Sequence, residues 1–194
     1  MKTTRSYTMT TRAQSAERTR LRILDAAVEL AETRLLAEIS LEAVAGAADV
    51  SVQTVLRRFG NRAGLIEAAH AHATAATTAE RETPVGDVSA AVAVVVDHYE
   101  RRGDGVSLLL AQEHSDPAVR AIVTQGRLLH RDWVSTVFAP YLTGAAAAQQ
   151  ARTDLLAVAT DIYTWKQLRR DQGLDRATTE QRICQLVTAI LKEG

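Results

Sequence analysis

Apolar side chains recur at helical spacing along most of the chain. The first such stripe consists of Ile23, Ala27, Leu30 and Ala31. Residues three and four apart share one face of an α-helix, so this spacing predicts an amphipathic helix. Ser15 is a suitable N-cap, and the helix is expected to run to about Arg34. The polar residues 1–14 have no helical period and are predicted to form a flexible arm.

Two short helices joined by a tight turn are predicted next. Ser40 can cap a helix over residues 41–48, and Ser51 can cap another that runs to about residue 59. The segment between them, "ADV", has room only for a turn, so the pattern is typical of a helix-turn-helix. Asn61 is a further N-cap, and the apolar positions after it predict a longer helix toward residue 82.

Pro84 and Gly86 mark a change in the pattern and are expected to separate two domains. A helix beginning at Asp87 is predicted to end at "RRGDG" because glycine closes helices, and a short buried segment, "VSLLLAQEH", should follow it. The remaining helices are predicted at residues 115–142, 149–171 and 175–194. About nine helices and no strand are expected. The predicted fold is all-α, with a helix-turn-helix domain over residues 15–82 and a second helical domain over 83–194.

Composition agrees with a helical protein. The 194 residues are 46% hydrophobic and 4% aromatic, with three prolines. The one cysteine, Cys184, excludes an internal disulfide framework and a cysteine-rich metal site. The sequence contains neither the apolar run of a secretory signal nor the roughly 20 apolar residues that span a bilayer. We therefore expect a soluble cytoplasmic protein.

The net charge of zero conceals an uneven distribution. Residues 1–62 hold ten basic and seven acidic side chains, whereas residues 63–194 hold thirteen basic and sixteen acidic ones. Within residues 1–22 there are six basic side chains and one acidic side chain, Glu17. This asymmetry indicates that the N-terminal part meets a polyanion while the remainder has another role.

The segment "SVQTVLRRFGNRAGL" (51–65) combines three arginines with regularly spaced apolar residues. On a helix that follows Ser51, Val55 and Phe59 share the inner face, and the outer face carries Gln53, Leu56 and Arg57. Glutamine can bind an adenine edge, valine a thymine methyl group, and threonine or arginine the phosphates, so the outer face suits the DNA major groove. The candidate DNA-binding residues are Ser40, Ser51, Val52, Gln53, Thr54, Leu56, Arg57, Arg58, Asn61 and Arg62. The alternative is an amphipathic core helix with solvated arginines.

Three segments are in register with a known family pattern across residues 16–72. They are "AAVEL" (26–30), "SLEAVA" (40–45) and "ADVSVQTVLRRFGNRAGLI" (48–66). In these segments the chain resembles the DNA-binding region of the TetR (tetracycline-repressor-type) family. It departs from the pattern where Asp49 and Gln53 replace common glycines, where Leu56 replaces a tyrosine, and where Arg58 replaces histidine or tyrosine. Leu35 and Leu36 also stand where glycine and an aromatic residue are usual.

The resemblance implies an all-helical transcriptional regulator, in most cases a repressor. It implies a homodimer formed through the last two helices, a near-palindromic operator in double-stranded DNA, and a small-molecule effector of unknown identity held by the C-terminal domain. Aromatic residues are scarce and cluster in that domain, which makes them and two histidines candidates for the ligand pocket. These candidates are His98, Tyr99, His130, Trp133, Tyr163 and Trp165. Each of them would serve equally as a core or dimer-interface residue.

Enzymatic chemistry has little support in the sequence. His70 and His72 are two residues apart on a predicted helix, which is poor spacing for a metal chelate. No phosphate-binding glycine loop or catalytic motif occurs, so we predict no catalytic residue, no metal and no cofactor. Two alternatives stay open: a helical small-molecule-binding protein or enzyme that does not bind DNA, and a co-regulator that dimerises without binding DNA. Gel retardation of duplex DNA by the protein would distinguish a DNA-binding regulator from these two alternatives.

Overall fold

The computed structural model describes residues 4–192, with side chains from residue 13 onward. The α-helices are α1 (Thr4–Ala31), α2 (Leu41–Ala47), α3 (Val52–Phe59), α4 (Arg62–Glu80), α5 (Val88–Gln112), α6 (Pro117–Val137), α7 (Ala146–Ala159), α8 (Ile162–Lys166) and α9 (Arg176–Lys192). Short 3-10 helices span Leu36–Glu38 and Ala139–Tyr141, and a π-helical segment spans Gln167–Asp171. No strand occurs within the described residues, so the predicted all-α fold is confirmed.

The chain forms two compact units. The N-terminal unit comprises Met1–Thr74 and the C-terminal unit comprises Ala75–Gly194. The division falls inside α4, earlier than the boundary predicted between residues 82 and 83. Proline and glycine mark where a helix ends, whereas the division between the units falls within α4, where no local sequence signal marks it.

The first helix begins earlier than predicted. Helix α1 starts at Thr4, so the predicted arm over residues 1–14 is wrong in secondary structure from Thr4 onward. Residues 1–3 lie outside the described part of the chain. Residues 4–14 contain no proline or glycine, and adding residues to an existing helix is far easier than nucleating one. A helix anchored by buried Ile23 and Leu24 can therefore continue into a polar segment.

The two glycines of "RRGDG" do not end a helix. Helix α5 continues through Gly103 and Gly105 to Gln112, which corrects both the predicted helix end and the separate buried segment. A Cβ atom on Gly103 would lie 2.4 Å from Cζ3 of Trp165, a fully buried side chain. The glycine at position 103 is therefore required for the close approach of an aromatic ring.

The predicted helix over residues 149–171 is interrupted. Helix α7 ends at Ala159, and Asp161 caps α8 by accepting a hydrogen bond from the amide of Tyr163 (2.9 Å). Thr160, between the two helices, is fully buried, and its carbonyl accepts a hydrogen bond from the Tyr99 hydroxyl (3.2 Å). The interruption thus provides an acceptor for a buried tyrosine.

Each unit has its own apolar core. The core of the N-terminal unit is built from Ile23, Leu24, Ala27, Leu36, Ile39, Val44, Val55 and Leu65. The core of the C-terminal unit includes Val92, Val95, Val96, Val134, Phe138, Leu156, Trp165, Ile183 and Val187. Ile23 and Ala27 of the predicted first stripe lie in the N-terminal core, whereas Leu30 and Ala31 are half-buried.

Candidate functional site

Serine side chains fix the starts of the two short helices in the N-terminal unit. The Ser40 hydroxyl accepts a hydrogen bond from the amide of Ala43 (3.1 Å), and the Ser51 hydroxyl accepts one from the amide of Thr54 (3.2 Å). The Ser51 and Thr54 hydroxyls are also hydrogen-bonded to each other (2.9 Å). Both predicted N-caps are confirmed, and they set the direction in which α2 and α3 leave the turn.

The turn between α2 and α3 has the geometry of a Schellman motif. The amide of Val50 donates to the carbonyl of Ala45 (3.0 Å), and the amide of Asp49 donates to the carbonyl of Gly46 (3.2 Å). Asp49 has a φ of 51°, a left-handed conformation that glycine adopts freely and aspartate tolerates better than most residues. Glycine is common at this position in the TetR family pattern, and the backbone angle gives the physical reason.

Helix α3 has one buried face and one exposed face. Val55 is fully buried and Phe59 is half-buried, whereas Gln53 and Arg57 are exposed. Val52, Thr54 and Leu56, at the borders, are half-buried. The predicted orientation is therefore confirmed for Val55, Gln53 and Arg57: the inner side anchors the helix to the unit, and no described residue covers Gln53 or Arg57. Leu56, which was predicted on the outer face, is half-buried at its border.

The arginines around α3 have different environments. Arg57 is exposed and forms no ion pair with any described residue. Arg58 is half-buried, and its Nε atom has no hydrogen-bond partner in the described part of the chain. Arg62 donates from Nε to the carbonyl of Ile39 (2.7 Å) and from an Nη atom to the carbonyl of Leu36. Arg62 therefore ties the start of α4 to the segment before α2.

The junction between α3 and α4 is tightly packed. Gly60 ends α3 with a φ of 77°, and the Asn61 side chain accepts a hydrogen bond from the amide of Gly64 (2.9 Å). A Cβ atom on Gly64 would lie 2.3 Å from the carbonyl oxygen of Phe59. Because this neighbour is backbone, position 64 accommodates only glycine without a shift of α3 relative to α4.

A buried arginine lies at the centre of a polar cluster in the C-terminal unit. Arg81 is 6% exposed, and its Nη1 atom donates to Nδ1 of His130 (3.1 Å). Its guanidinium carbon lies 5.2 Å from the centre of the Tyr99 ring and 5.7 Å from that of Trp133. The Trp133 indole N–H donates to the carbonyl of Arg81 (3.0 Å). Aromatic side chains thus surround this cation.

The two histidines near Arg81 are uncharged at neutral pH. Burial and the positive charge of Arg81 lower the pKa values of His98 and of His130 to about 4. Since Nδ1 of His130 accepts from Arg81, its Nε2 atom carries the hydrogen and donates to the carbonyl of Ala157 (3.1 Å). Burial acts to raise the pKa of Glu80, but hydrogen bonds from Arg102 and His98 lower it to about 2.

The structure brings together five of the six aromatic and histidine residues predicted for a ligand pocket. Tyr99, His130 and Trp133 surround Arg81, and His98 contacts Glu80 nearby (3.1 Å). Trp165 is fully buried against Gly103, with its ring centre 5.9 Å from that of Tyr99, whereas Tyr163 is exposed. Sequence reasoning missed Arg81, because nothing in its local sequence distinguishes it from the other arginines.

The described residues contain neither a metal-binding cluster nor a helix that could span a membrane. No group of three or more histidine, cysteine or carboxylate side chains with metal-binding geometry occurs in the described residues. His72 pairs instead with Asp25 (2.7 Å). Between residues 4 and 192, none of the helices combines the length and the apolar character needed to cross a bilayer.

Residues 23–69 match the family model of bacterial regulatory proteins of the tetR family. Among similar solved structures, a tetR-family transcriptional regulator from Streptomyces coelicolor shares 20% identity over 90% of this chain and 80% of that one, with a TM-score of 0.69. Salmonella enterica GusR shares 20% identity over 90% of this chain and 95% of that one, with a TM-score of 0.69. A TetR-family transcriptional regulator from Rhodococcus sp. shares 16% identity over 90% of this chain and 99% of that one, with a TM-score of 0.67. No curated protein sequence matches the chain. Residues 23–69 therefore carry the tetR-family helix-turn-helix region, and the chain has the fold of TetR-family transcriptional regulators.

Proposed function

We propose that the protein is a dimeric, sequence-specific DNA-binding repressor that a small-molecule effector releases from its operator in the cytoplasm. The observation that carries the DNA-binding part is the two-sided environment of α3. Val55 anchors the helix from within, and Gln53 and Arg57 extend from the uncovered face. A capped helix that presents polar and cationic side chains on one exposed face has the form and chemistry that major-groove reading requires.

The residues of the helix-turn-helix have distinct roles in this proposal. Gln53 reads a base edge, with Val52 and Leu56 beside it for apolar contact with thymine methyl groups. Arg57 and Arg58 contact phosphates. Ser40, Ser51, Thr54 and Asn61 are engaged in caps, so they act on DNA by orienting the helices. Arg62, bound to two carbonyl groups, acts by positioning as well.

Exposed apolar side chains on the last helices support the homodimer. Leu155 and Val158 lie on one face of α7, and Leu186 lies on α9. These two helices pack against each other, so their exposed apolar residues offer a self-complementary surface. A two-fold axis there would place the two copies of α3 in successive major grooves about 34 Å apart on a near-palindromic operator. An effector that binds the C-terminal unit more tightly in another conformation would then release the DNA.

Variants of α3 test the DNA-binding proposal. We expect the protein to retard duplex DNA from its own upstream region at moderate salt. Gln53→Ala should reduce discrimination between operator and mismatched DNA by about 1–3 kcal/mol. Arg57→Ala should weaken binding to all sequences. It should also reduce the magnitude of the slope of the logarithm of the binding constant against the logarithm of the salt concentration by about 1.

Arg120→Ala, at an exposed arginine of α6, is the matched control and should leave both quantities unchanged. Equal retardation by the wild type and the two α3 variants would refute the docking model. Absence of retardation together with ligand binding would favour the alternative of a helical small-molecule-binding protein.

A charge on α7 tests the dimer. Val158 is 66% exposed, and Val158→Glu would place an unpaired carboxylate in the proposed interface. Burial of such a charge costs several kcal/mol, so we expect the dissociation constant of the dimer to rise by about 100-fold or more. Sedimentation velocity would measure this change. Leu128→Glu, at an α6 residue that is 51% exposed, should leave the dimer intact. A dimer unaffected by Val158→Glu would place the interface elsewhere.

A further inference from the structure

No carboxylate among the described residues is in contact with the guanidinium of Arg81, although the charge of Asp161 acts on it from farther away. Among the described residues, Arg81 forms no ion pair, and its Nε atom has no hydrogen-bond partner. The nearby carboxylate of Glu80 is bound instead by Arg102 (3.0 Å) and His98 (3.1 Å). Removing a cation from water is costly unless a partner compensates for the lost hydration. Tyr99 and Trp133 offset part of this cost through their ring faces.

Arg81 lines a cleft of about 680 Å³ in the C-terminal unit. The cleft is mainly apolar, with Trp133, Leu129 and Val137 on its wall. A cleft of this size, with mainly apolar accessible surface and a few charged and hydroxyl groups in its lining, has the usual character of a small-molecule site. The cation therefore lies beside a space that a small organic molecule can occupy.

We propose that this cleft binds a small aromatic monocarboxylic acid, with the carboxylate paired to Arg81 and the ring lying against Trp133. The planar guanidinium presents Nε and an Nη atom as a fork that a carboxylate binds through both oxygens. This inference rests on the proposed effector function, because it names the chemical class of the effector. The Nε atom is shielded from solvent, so ligand entry must displace neighbouring side chains.

The other charged groups of the cleft limit the ligand to one negative charge. Glu82 and Asp132 also line it, and both are exposed. A second carboxylate on the ligand would lie near these two acidic groups and would be repelled by them. The neutral imidazoles of His98 and His130 add no positive charge to offset that repulsion. A monoanion with an apolar body satisfies Arg81 and brings only one negative charge near Glu82 and Asp132, so it is repelled less than a dianion.

Paired probes on the full-length protein without DNA test the proposal. Benzoate, 1-naphthoate and 9-anthroate would each be compared with the corresponding neutral amide by calorimetry and by tryptophan fluorescence. We expect at least one acid to bind, with its amide bound roughly tenfold to a hundredfold more weakly, since a hydrogen bond to a charged group is worth that ratio. Binding of acid and amide with equal affinity, or binding of none of the acids, would overturn the proposal.

Two variants with opposite expected effects locate the site. Arg81→Gln removes the charge but keeps an N–H donor for His130, so it should abolish the preference for acid over amide. Asp132→Asn removes a repelling carboxylate and should strengthen acid binding severalfold. Unchanged acid affinity in a folded Arg81→Gln protein would refute the site. Should Arg81→Gln not fold, the acid-to-amide ratio of the wild type and the Asp132→Asn result each decide the question.

Gel retardation of DNA in the presence of the acids distinguishes failure of this inference from failure of the proposed function. If an acid binds at Arg81 without changing DNA retardation, the ligand site stands and effector-controlled release is wrong. If the protein retards operator DNA but binds none of the acids, the DNA-binding function stands and the inference about the ligand is wrong.

Discussion

Replacing Trp165 with alanine is expected to lower the free energy of unfolding by about 3–5 kcal/mol. Trp165 is fully buried in the core of the C-terminal unit, and its indole N–H donates to Glu100 (2.9 Å). The guanidinium carbon of Arg170 lies 4.6 Å from its ring centre. The substitution therefore removes a large packed ring and leaves a cavity. Urea denaturation followed by circular dichroism would measure the change.

The role of Gly103 gives this prediction an internal test. Gly103→Ala alone should lower the free energy of unfolding by about 1–3 kcal/mol, because the new Cβ atom would lie 2.4 Å from the Trp165 ring. In the Trp165→Ala background the same substitution should become favourable, by up to about 1 kcal/mol, since alanine is the better helix former.

Gly126→Ala in α6 is the matched control. No atom lies within 4 Å of its Cβ position, so it should stabilise the wild type by a similar amount, up to about 1 kcal/mol. If Gly103→Ala lowered the free energy of unfolding equally in both backgrounds, contact with the Trp165 ring would not be the reason for glycine at position 103.

Gly64→Ala is expected to have the largest effect in the N-terminal unit. Its Cβ atom would lie 2.3 Å from the Phe59 carbonyl oxygen, and backbone cannot move aside as a flexible side chain does. We expect a loss of at least about 1–3 kcal/mol and a weakening of DNA binding, because α3 and α4 must separate. Thermal unfolding and DNA retardation would measure the two effects.

Gly46→Ala is the corresponding control for Gly64→Ala. Gly46 lies in α2 with no atom within 4 Å of its Cβ position, so alanine there should raise the stability by roughly 0.5–1 kcal/mol. A Gly64→Ala protein as stable as the wild type would contradict the packing described for the α3–α4 junction.

The helix-turn-helix was predictable because the signals that define it are local. Ser40 and Ser51 cap their helices through amides three residues away, and Asp49 takes the left-handed conformation of a turn only a few residues long. The inner position of Val55 and the outer position of Gln53 follow from helical periodicity alone. The resemblance to the tetR family rests on this same segment and is confirmed.

Residues whose role depends on distant partners were not predictable in the same way. Arg62 is predicted to contact DNA, and its guanidinium also binds the carbonyl groups of Leu36 and Ile39, which its local sequence does not indicate. Gly103 was expected to end a helix, yet it lies inside α5 beneath Trp165. In both cases the partner is more than twenty residues away in the chain, beyond the range of capping and periodicity.

The sequence by itself determined the all-α class, the capped turn and the two faces of the helix that follows it, because hydrogen bonds and apolar spacing within about four residues decide these features. Only the tertiary structure decided that Arg81 is buried among Tyr99, His130 and Trp133 beside a cleft. Those side chains come from three separate stretches of the chain. The contacts between the buried cation, the histidine and the aromatic rings form only when packing brings these three stretches together.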